Sequence, residues 1–303
     1  MGIKNAKNAH FWLIDHTVKK IASLSQVEIL SSSGAWKKFS WSREYFGKKP
    51  SEGYFIWVKD QPPCPLFTCI SLASRGTVQN LKNLLVIEKG LEIEFQGICS
   101  SLNQYLEGTH QAQGTIILKK GSSLKYFHRH FWGKDDFVEP DYKFLLEGGT
   151  RLDYTYETSL TPKTLKLKTS IDCLDSSKAS VNILANCKNT SFETRDLITL
   201  KGKKASGITK LRLIARQNCD IKAFSQILAK TDSRGHLDCR AFIVDEQSKI
   251  SLVPKVVCQD REAQITHEAS IGRLSEEQLN YLRMRGLTEE EAINLIVTGF
   301  FKI

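Results

Sequence analysis

The chain has 303 residues, 41% of them hydrophobic, and carries 43 Lys and Arg against 33 Asp and Glu for a formal net charge of +10. That length and apolar content are enough to bury a sizeable core, which excludes a disordered tail and allows one large domain or two smaller ones. The basic residues stand in short scattered clusters such as Lys119-Lys120 and Lys201-Gly-Lys203-Lys204, with no recognisable nucleic-acid module, so no nucleic-acid partner is expected.

In chain order, the first segment has only a very short apolar stretch, Phe11 to Ile14, and no small-residue cleavage site. Ala6 stands where a myristoylation motif needs Ser or Thr, and no segment approaches the roughly 20 apolar residues that cross a bilayer. Eight cysteines are sparse in so long a chain. A cytoplasmic protein with reduced thiols and no membrane partner is therefore expected. Residues 1–82 read as a small mixed region: a helix over 17–25, aromatic-rich stretches at 36–46 and 54–57, and a Pro-Pro-Cys-Pro turn at 62–65.

From about Leu84 the pattern changes to short runs of alternating apolar and polar residues broken by Gly, Asn, Asp and Ser, the signature of half-buried strands. Near the end these runs are nearly regular, at 208–214, 221–229, 237–244, 250–258 and 263–271, with no strong helix between them before 272. Evenly spaced strands fit a sandwich, a propeller or a β-solenoid. Asn-Gly and Asp-Gly hairpin turns are absent, which favours the solenoid, whose coils stack through parallel ladders. The expected fold is mainly β, a solenoid core over 83–272.

After Ile271 the period becomes helical, over 273–303. Ser275 with Gln278 reads as one capping box and Thr288 with Glu291 as a second, Leu274 is placed to staple onto Leu279, and Gly286 separates the two helices. Ile293, Ile296, Val297 and Phe300 recur at i, i+3, i+4 and i+7 as one apolar stripe. The pair either covers the solenoid's open end or docks a partner.

Cys239 shares its strand phase with Leu237, Ala241 and Ile243, the pattern of a small buried hydrophobe. His267 and Glu268 are adjacent and so point to opposite faces of their strand. With two strands per coil, the segments centred near 211, 240 and 267 become neighbours in one sheet, which brings Cys239 next to the His267-Glu268 pair. Thiolate, imidazole and carboxylate on neighbouring rungs suit a transition metal, the thiolate favouring iron–sulfur or zinc chemistry. Cys258 is either core or a spare ligand. His128 and His130, two positions apart, permit chelation but also suit strand packing beside Trp132; Cys64 and Cys69 flank the Pro-rich turn without a partner His. No CxxC pair, Walker loop, dinucleotide fingerprint or serine elbow is present, so neither a closed zinc site nor an autonomous ATPase, dehydrogenase or hydrolase is expected.

Residues 263–286, Ala-Gln-Ile-Thr-His-Glu-Ala-Ser-Ile-Gly-Arg-Leu-Ser-Glu-Glu-Gln-Leu-Asn-Tyr-Leu-Arg-Met-Arg-Gly, closely resemble the end of SufB/SufD iron–sulfur cluster assembly proteins, as does the Glu-Glu-Glu-Ala-Ile-Asn-Leu-Ile-Val-Thr-Gly-Phe that follows at 289–300. Lys230-Thr-Asp, the segment 235–244, Asn83-Leu-Leu-Val-Ile-Glu-Lys-Gly and the Tyr126-Phe-His-Arg-His-Phe-Trp132 string are also similar to that family. The resemblance implies a right-handed parallel β-helix whose C-terminal helices bind a SufC-type ABC ATPase through residues such as Leu279, Leu282, Ile293, Ile296 and Phe300. It implies a transient iron–sulfur cluster as cargo, a persulfide donor of the cysteine desulfurase system, and pairing as a homodimer or a SufB/SufD-like heterodimer; a flavin enters through the resemblance alone. It assigns the cluster to Cys239 and Glu268, with His267 and Cys258 secondary, and sulfur acceptance to Cys99. His-Glu-Ala at 267–269 reads as B-type and the Ser-Ile-Gly-Arg-Leu after it as D-type. The alternatives are a metal-free subunit that activates the ATPase beside a cluster-building sister, and a solenoid acting on or binding polysaccharide.

Overall fold

The computed structural model describes residues 9–301. At the N-terminal end lie β1 (His10–Ile14), β2 (Thr17–Ala22), β3 (Val27–Ser31), α1 (Ser32–Lys38), α2 (Ser42–Phe46) and β4 (Tyr54–Val58). One repeating unit follows, strand, corner, strand, corner: β5 (Leu66–Leu72), β6 (Val78–Ile87), β7 (Glu92–Ser101), β8 (Thr109–Leu118), β9 (Ser123–Phe131), β10 (Phe137–Leu146), β11 (Arg151–Leu160) and β12 (Thr164–Cys173). It continues through β13 (Lys178–Lys188), β14 (Ser191–Leu200), β15 (Ser206–Arg216), β16 (Asp220–Ala229), β17 (Arg234–Ile243), β18 (Lys249–Cys258) and β19 (Gln264–Arg273), and the chain ends in α3 (Glu276–Met284) and α4 (Glu289–Phe300).

Alternate strands stack. The odd-numbered strands from β5 to β19 form one sheet with β1 and β2, and the even-numbered strands from β4 to β18 form the other with β3. From β5/β7 and β4/β6 onward the ladders are parallel, so the chain winds as a β-solenoid of about eight turns. Parallel neighbours need a crossover between them, and the second strand of each turn supplies it, which is why tight hairpin turns are not required. The strands of the stacked turns up to β17 bury alternate residues, and those inward rows form one continuous core from Ala9 to Ala241.

One corner of each central turn uses a left-handed residue: Gly90 (φ 71°), Gly121 (φ 74°), Gly149 (φ 72°), Ser176 (φ 57°) and Lys204 (φ 58°). Their N–H groups donate to the carbonyls of Lys120, Gly148, Asp175, Lys203 and Asp232 on the following turns, so the corner is itself a hydrogen-bonded stack. Gly114 serves a different need, since a Cβ there would sit 2.4 Å from the Tyr142 ring on the next coil.

The N-terminal region departs from expectation. Residues 17–22 form β2, not the helix read over 17–25: the run holds β-branched Thr17, Val18 and Ile21, and antiparallel pairing to β1 satisfies its backbone. The expected boundary after residue 82 falls inside β6, because β1, β4 and β5 already belong to the stacked sheets. Antiparallel β2 and β3 close the first turn, and α1 and α2 lie over a second cluster built from Ala35, Phe46, Phe55, Leu84, Val86 and Ile117.

At the other end the helix pair does not cover the open coil. Phe300 packs against Phe242 (ring centroids 5.8 Å apart) and Asn294 Oδ1 accepts from Arg216 Nη1 at 3.2 Å, both partners being outward-facing residues of the first sheet. The inward row of β19 is left exposed at His267, Ala269 and Ile271, together with Cys258 on β18. Thr288 and Glu291 form the expected capping box, whereas the Ser275 side chain makes no cap bond.

Candidate functional site

Two regions of the solenoid hold the chemistry-bearing side chains, the open C-terminal end and the middle of the core. At the open end, β15, β17 and β19 are adjacent and in parallel register, with Leu211 beside Cys239 and Cys239 beside Ala269. Cys239 faces inward and is buried, and burial pushes its thiol up to about 12. His267 lies beside Leu237, in the same inward row one turn on, and is exposed. Cys258 also occupies an inward position, next to Ala229, and is exposed at the rim.

Glu268 does not join them. It pairs with Asp238, whose carboxylate lies on the outer face, and among the described residues its ion-pair partner is Arg240 at 3.7 Å, with its side chain 67% exposed. Thiol and carboxylate therefore leave the sheet on opposite sides, and one chain cannot wrap both around one ion as the sequence suggested. The cause is strict alternation along a strand: Cys239 to Glu268 is an odd separation across a turn whose paired residues stand an even number apart.

The outer face carries its own network, which sequence reasoning missed. Arg212 is buried, its Nη2 2.6 Å from Asp238 Oδ2, and its Nη1 donates to the Leu211 carbonyl at 2.9 Å and the Asp238 carbonyl at 3.2 Å. Arg240 Nε donates to the second Asp238 oxygen at 2.9 Å. Burial raises the Asp238 pKa, but the hydrogen bonds and charges of Arg212 and then Arg240 outweigh it and hold the carboxyl below its ordinary range. The available signal was an Asp beside Cys239 on a strand whose turn-neighbour contributes an Arg.

In the middle of the core the first sheet turns polar. Cys99 Sγ is 3.7 Å from His128 Nε2, and His128 Nε2 is 2.9 Å from His130 Nε2, with all three ligand atoms within 4.8 Å of one another. The outer ring nitrogens also have partners: His128 Nδ1 is 3.2 Å from the Tyr154 hydroxyl and His130 Nδ1 is 2.9 Å from that of Tyr156. His110 lies nearby, its Nδ1 2.8 Å from Gln79 Oε1 and its ring 4.7 Å from Trp132. Burial lowers the pKa of His110 and of His128 to about 3, pushes His130 well below the ordinary imidazole value, and raises the Cys99 thiol. All three rings are thus neutral donors. His128 and His130, read as permitting chelation or packing, are brought together here with Cys99.

A second inward polar row runs along the other sheet, where Thr169, Asp196 and Ser225 are successive register partners. Thr194 donates to Asp196 Oδ2 at 3.0 Å, and burial pushes the Asp196 carboxyl up to about 7. The sequence signal was present but unread: Asp196 shares the buried phase of Phe192, Thr194 and Ile198.

Of the residues expected to bind a partner, Leu279 is buried and Phe300 is committed to Phe242, while Leu282, Ile293 and Ile296 are half-buried. The outward apolar residues of the helix pair are Tyr281, Met284 and Leu295, and a shallow depression between Tyr281, Leu282 and Ile296 is edged by Glu277 and Gln278. Cys64 and Cys69 are half-buried near the N-terminal end. No helix among the described residues is long and apolar enough to cross a membrane.

A sequence profile of the family described as "SUF system FeS cluster assembly, SufBD core domain" matches residues 70–300. A protein of Methanothermobacter thermautotrophicus named "Iron-sulfur cluster assembly SufBD family protein" is 24% identical over 301 residues, covering 91% of this chain and 73% of its own length. Similarly named proteins are 24% identical over 332 residues in Archaeoglobus fulgidus (99% of this chain, 86% of that one) and 29% identical over 245 residues in Methanocaldococcus jannaschii (78% and 75%).

Proposed function

The chain belongs to the SufBD family of SUF-system iron–sulfur cluster assembly proteins, and from that membership we propose that it is a scaffold subunit that receives persulfide sulfur and iron and holds a nascent cluster at Cys239. The observation that carries this reading is the placement of Cys239 on the inward row one turn below the exposed end of the solenoid, with His267 on the same row and Cys258 at the rim. A thiolate and an imidazole on one face are suitable ligands for iron. Glu268, on the other face, reaches a cluster only across an interface with a second subunit seated on the exposed end, as a homodimer or a heterodimer. Cys99, beside His128, is the proposed sulfur acceptor. Family members of this kind are scaffolds and not typical enzymes, and we assign ATP hydrolysis to a SufC-type ATPase partner.

Anaerobic addition of ferrous iron and sulfide tests the proposal: the wild type is expected to develop broad visible absorbance, and Cys239→Ala to lose most of it while keeping its thermal transition. A second reading, a metal-free subunit that only activates the ATPase, is favoured by one observation, the burial that holds the Cys239 thiol protonated. It predicts no absorbance from either protein.

The helix pair is proposed as the ATPase dock, through the outward face of Tyr281, Met284 and Leu295 in place of the inward Leu279 and Phe300. Disrupting a central apolar hot spot in an interface costs about 2 kcal/mol or more, which is tenfold or more in affinity. Leu295→Asp should therefore weaken ATPase binding by about tenfold or more in a titration, whereas Cys239→Ala leaves it unchanged. Equal binding by Leu295→Asp and wild type would remove the helix pair from that role.

A further inference from the structure

We propose that Cys99, His128 and His130 form a site inside the solenoid for one borderline divalent transition-metal ion, separate from the cluster residues at the open end; while the ion is bound, Cys99 is its ligand and does not accept sulfur. These residues are 4%, 1% and 0% exposed, so the donor set is dry and enclosed. Thiolate sulfur and imidazole nitrogen are the ligands that zinc and ferrous iron share, while calcium and magnesium take oxygen.

The spacing fits. With metal–sulfur and metal–nitrogen bonds of about 2.3 and 2.0–2.1 Å, tetrahedral ligand atoms lie about 3.5 Å (S to N) and 3.3 Å (N to N) apart. The corresponding separations are 3.7 Å for Cys99 Sγ to His128 Nε2 and 2.9 Å for His128 Nε2 to His130 Nε2. The rings need to part by a few tenths of an ångström once a metal replaces the proton shared between the two Nε2 atoms, and Cys99 Sγ, within 4.8 Å of both nitrogens, needs to close on His130 Nε2.

Support beyond the three ligands is already built. A metal-bound imidazole presents its other nitrogen as an N–H donor, and that donor is normally held by an acceptor. Tyr154 and Tyr156 put hydroxyl oxygens 3.2 and 2.9 Å from the two Nδ1 atoms. A core that needed only packing has little use for two such tyrosines aligned with two histidines whose remaining nitrogens converge on a thiol. His110 adds a second observation: its Nε2 is buried with no partner among the described residues, and its ring stands edge-on to His130 with centroids 6.3 Å apart. A water on the metal's fourth position would give that nitrogen a partner.

Binding balances simply. The thiol loses its proton and the metal takes its place on sulfur; the proton shared by the Nε2 atoms moves to Nδ1 of the same ring, facing a tyrosine oxygen. One proton leaves per metal bound, no oxidant or reductant is needed, and the four-ligand shell is Cys99, His128, His130 and water. Because the ligands are enclosed, the ion enters as the chain folds.

The test uses the full chain produced in, or refolded with, Co2+, and separately Zn2+. Expected are about one metal per chain after desalting, a near-ultraviolet sulfur-to-cobalt charge-transfer band, and one sulfur and two imidazole nitrogens in the zinc X-ray absorption spectrum. Cys99→Ser should lose the charge-transfer band, while Cys239→Ala keeps it. The wild-type absorption spectrum needs no variant to fold, so a shell lacking sulfur, or a chain that emerges metal-free from both preparations, overturns the site. So does a charge-transfer band that persists in Cys99→Ser.

Discussion

Near pH 5.5 the free energy of unfolding is expected to rise with pH by about 2.7 kcal/mol per pH unit, the slope produced by two more protons on the unfolded chain than on the folded one. His110, His128 and His130 are held neutral by burial, with values pushed down to about 3 for the first two and well below normal for the third. The unfolded chain protonates all three near the ordinary 6.5, so their contribution is present above that value and is lost as pH falls toward the folded values. Asp196 works in the opposite sense. Its folded carboxyl, pushed up to about 7, keeps a proton that the unfolded Asp has given up, so its contribution is present below the unfolded value of 3.8 and is lost as pH rises through 7. Three protons gained on unfolding against one released leaves about two. Denaturant midpoints of the chain unfolded and refolded with a chelator, at closely spaced pH values, measure the slope. Asp196→Asn should steepen it to about three protons and His110→Gln should reduce it to about one. A flat profile between pH 5 and 6 would mean that the rings are not neutral in the folded protein.

Asp238→Ala is expected to cost about 3–5 kcal/mol, because it strands the Arg212 guanidinium in a site that is only 5% exposed. Glu268→Ala, by contrast, removes a carboxylate that is 67% exposed and 3.7 Å from Arg240, an arrangement worth at most about 1 kcal/mol. Replacing Arg212 and Asp238 together by Leu should cost less than Asp238→Ala alone, since no buried charge is then left without its partner. The three unfolding free energies, measured at pH 7.5, give the comparison. If Asp238→Ala and Glu268→Ala destabilise equally, the Arg212–Asp238 pair is not the buried element described here. The contrast also separates the two carboxylates: Asp238 anchors Arg212 and Arg240 on the sheet beside Cys239, whereas Glu268 is mostly exposed beside Arg240.

The solenoid was legible because inward and outward residues alternate so regularly, and the stacking of the segments near 211, 240 and 267 followed from their spacing. Residues 17–22 were not legible, since a short polar run such as Thr-Val-Lys-Lys-Ile-Ala becomes a strand only through its partner β1. The register at the last turn was also out of reach. A turn of 28 residues separates Leu211 from Cys239, but 30 separate Cys239 from Ala269, and this slip of two sets Ala269, not His267, beside the thiol. An even slip preserves the face, which is why His267 remains on the Cys239 side and Glu268 does not. The core polar cluster was half legible: His128 and His130 share a face by spacing alone, but Cys99 joins them only when β7 and β9 pair. The helix stripe was visible as a pattern, while its division into an inward side on Phe242 and an outward side at Leu295 required the sheet beneath it.

The scaffold reading rests on what Cys239 holds. The chain, purified anaerobically together with the proposed ABC ATPase partner from cells making clusters, is therefore to be assayed for iron and acid-labile sulfide beside Cys239→Ala prepared in the same way. Acid-labile sulfide is expected on the wild type and to fall at least tenfold in the variant, together with the iron that accompanies it, with the ATPase retained by each. Equal acid-labile sulfide on the two proteins would contradict a cluster held at Cys239.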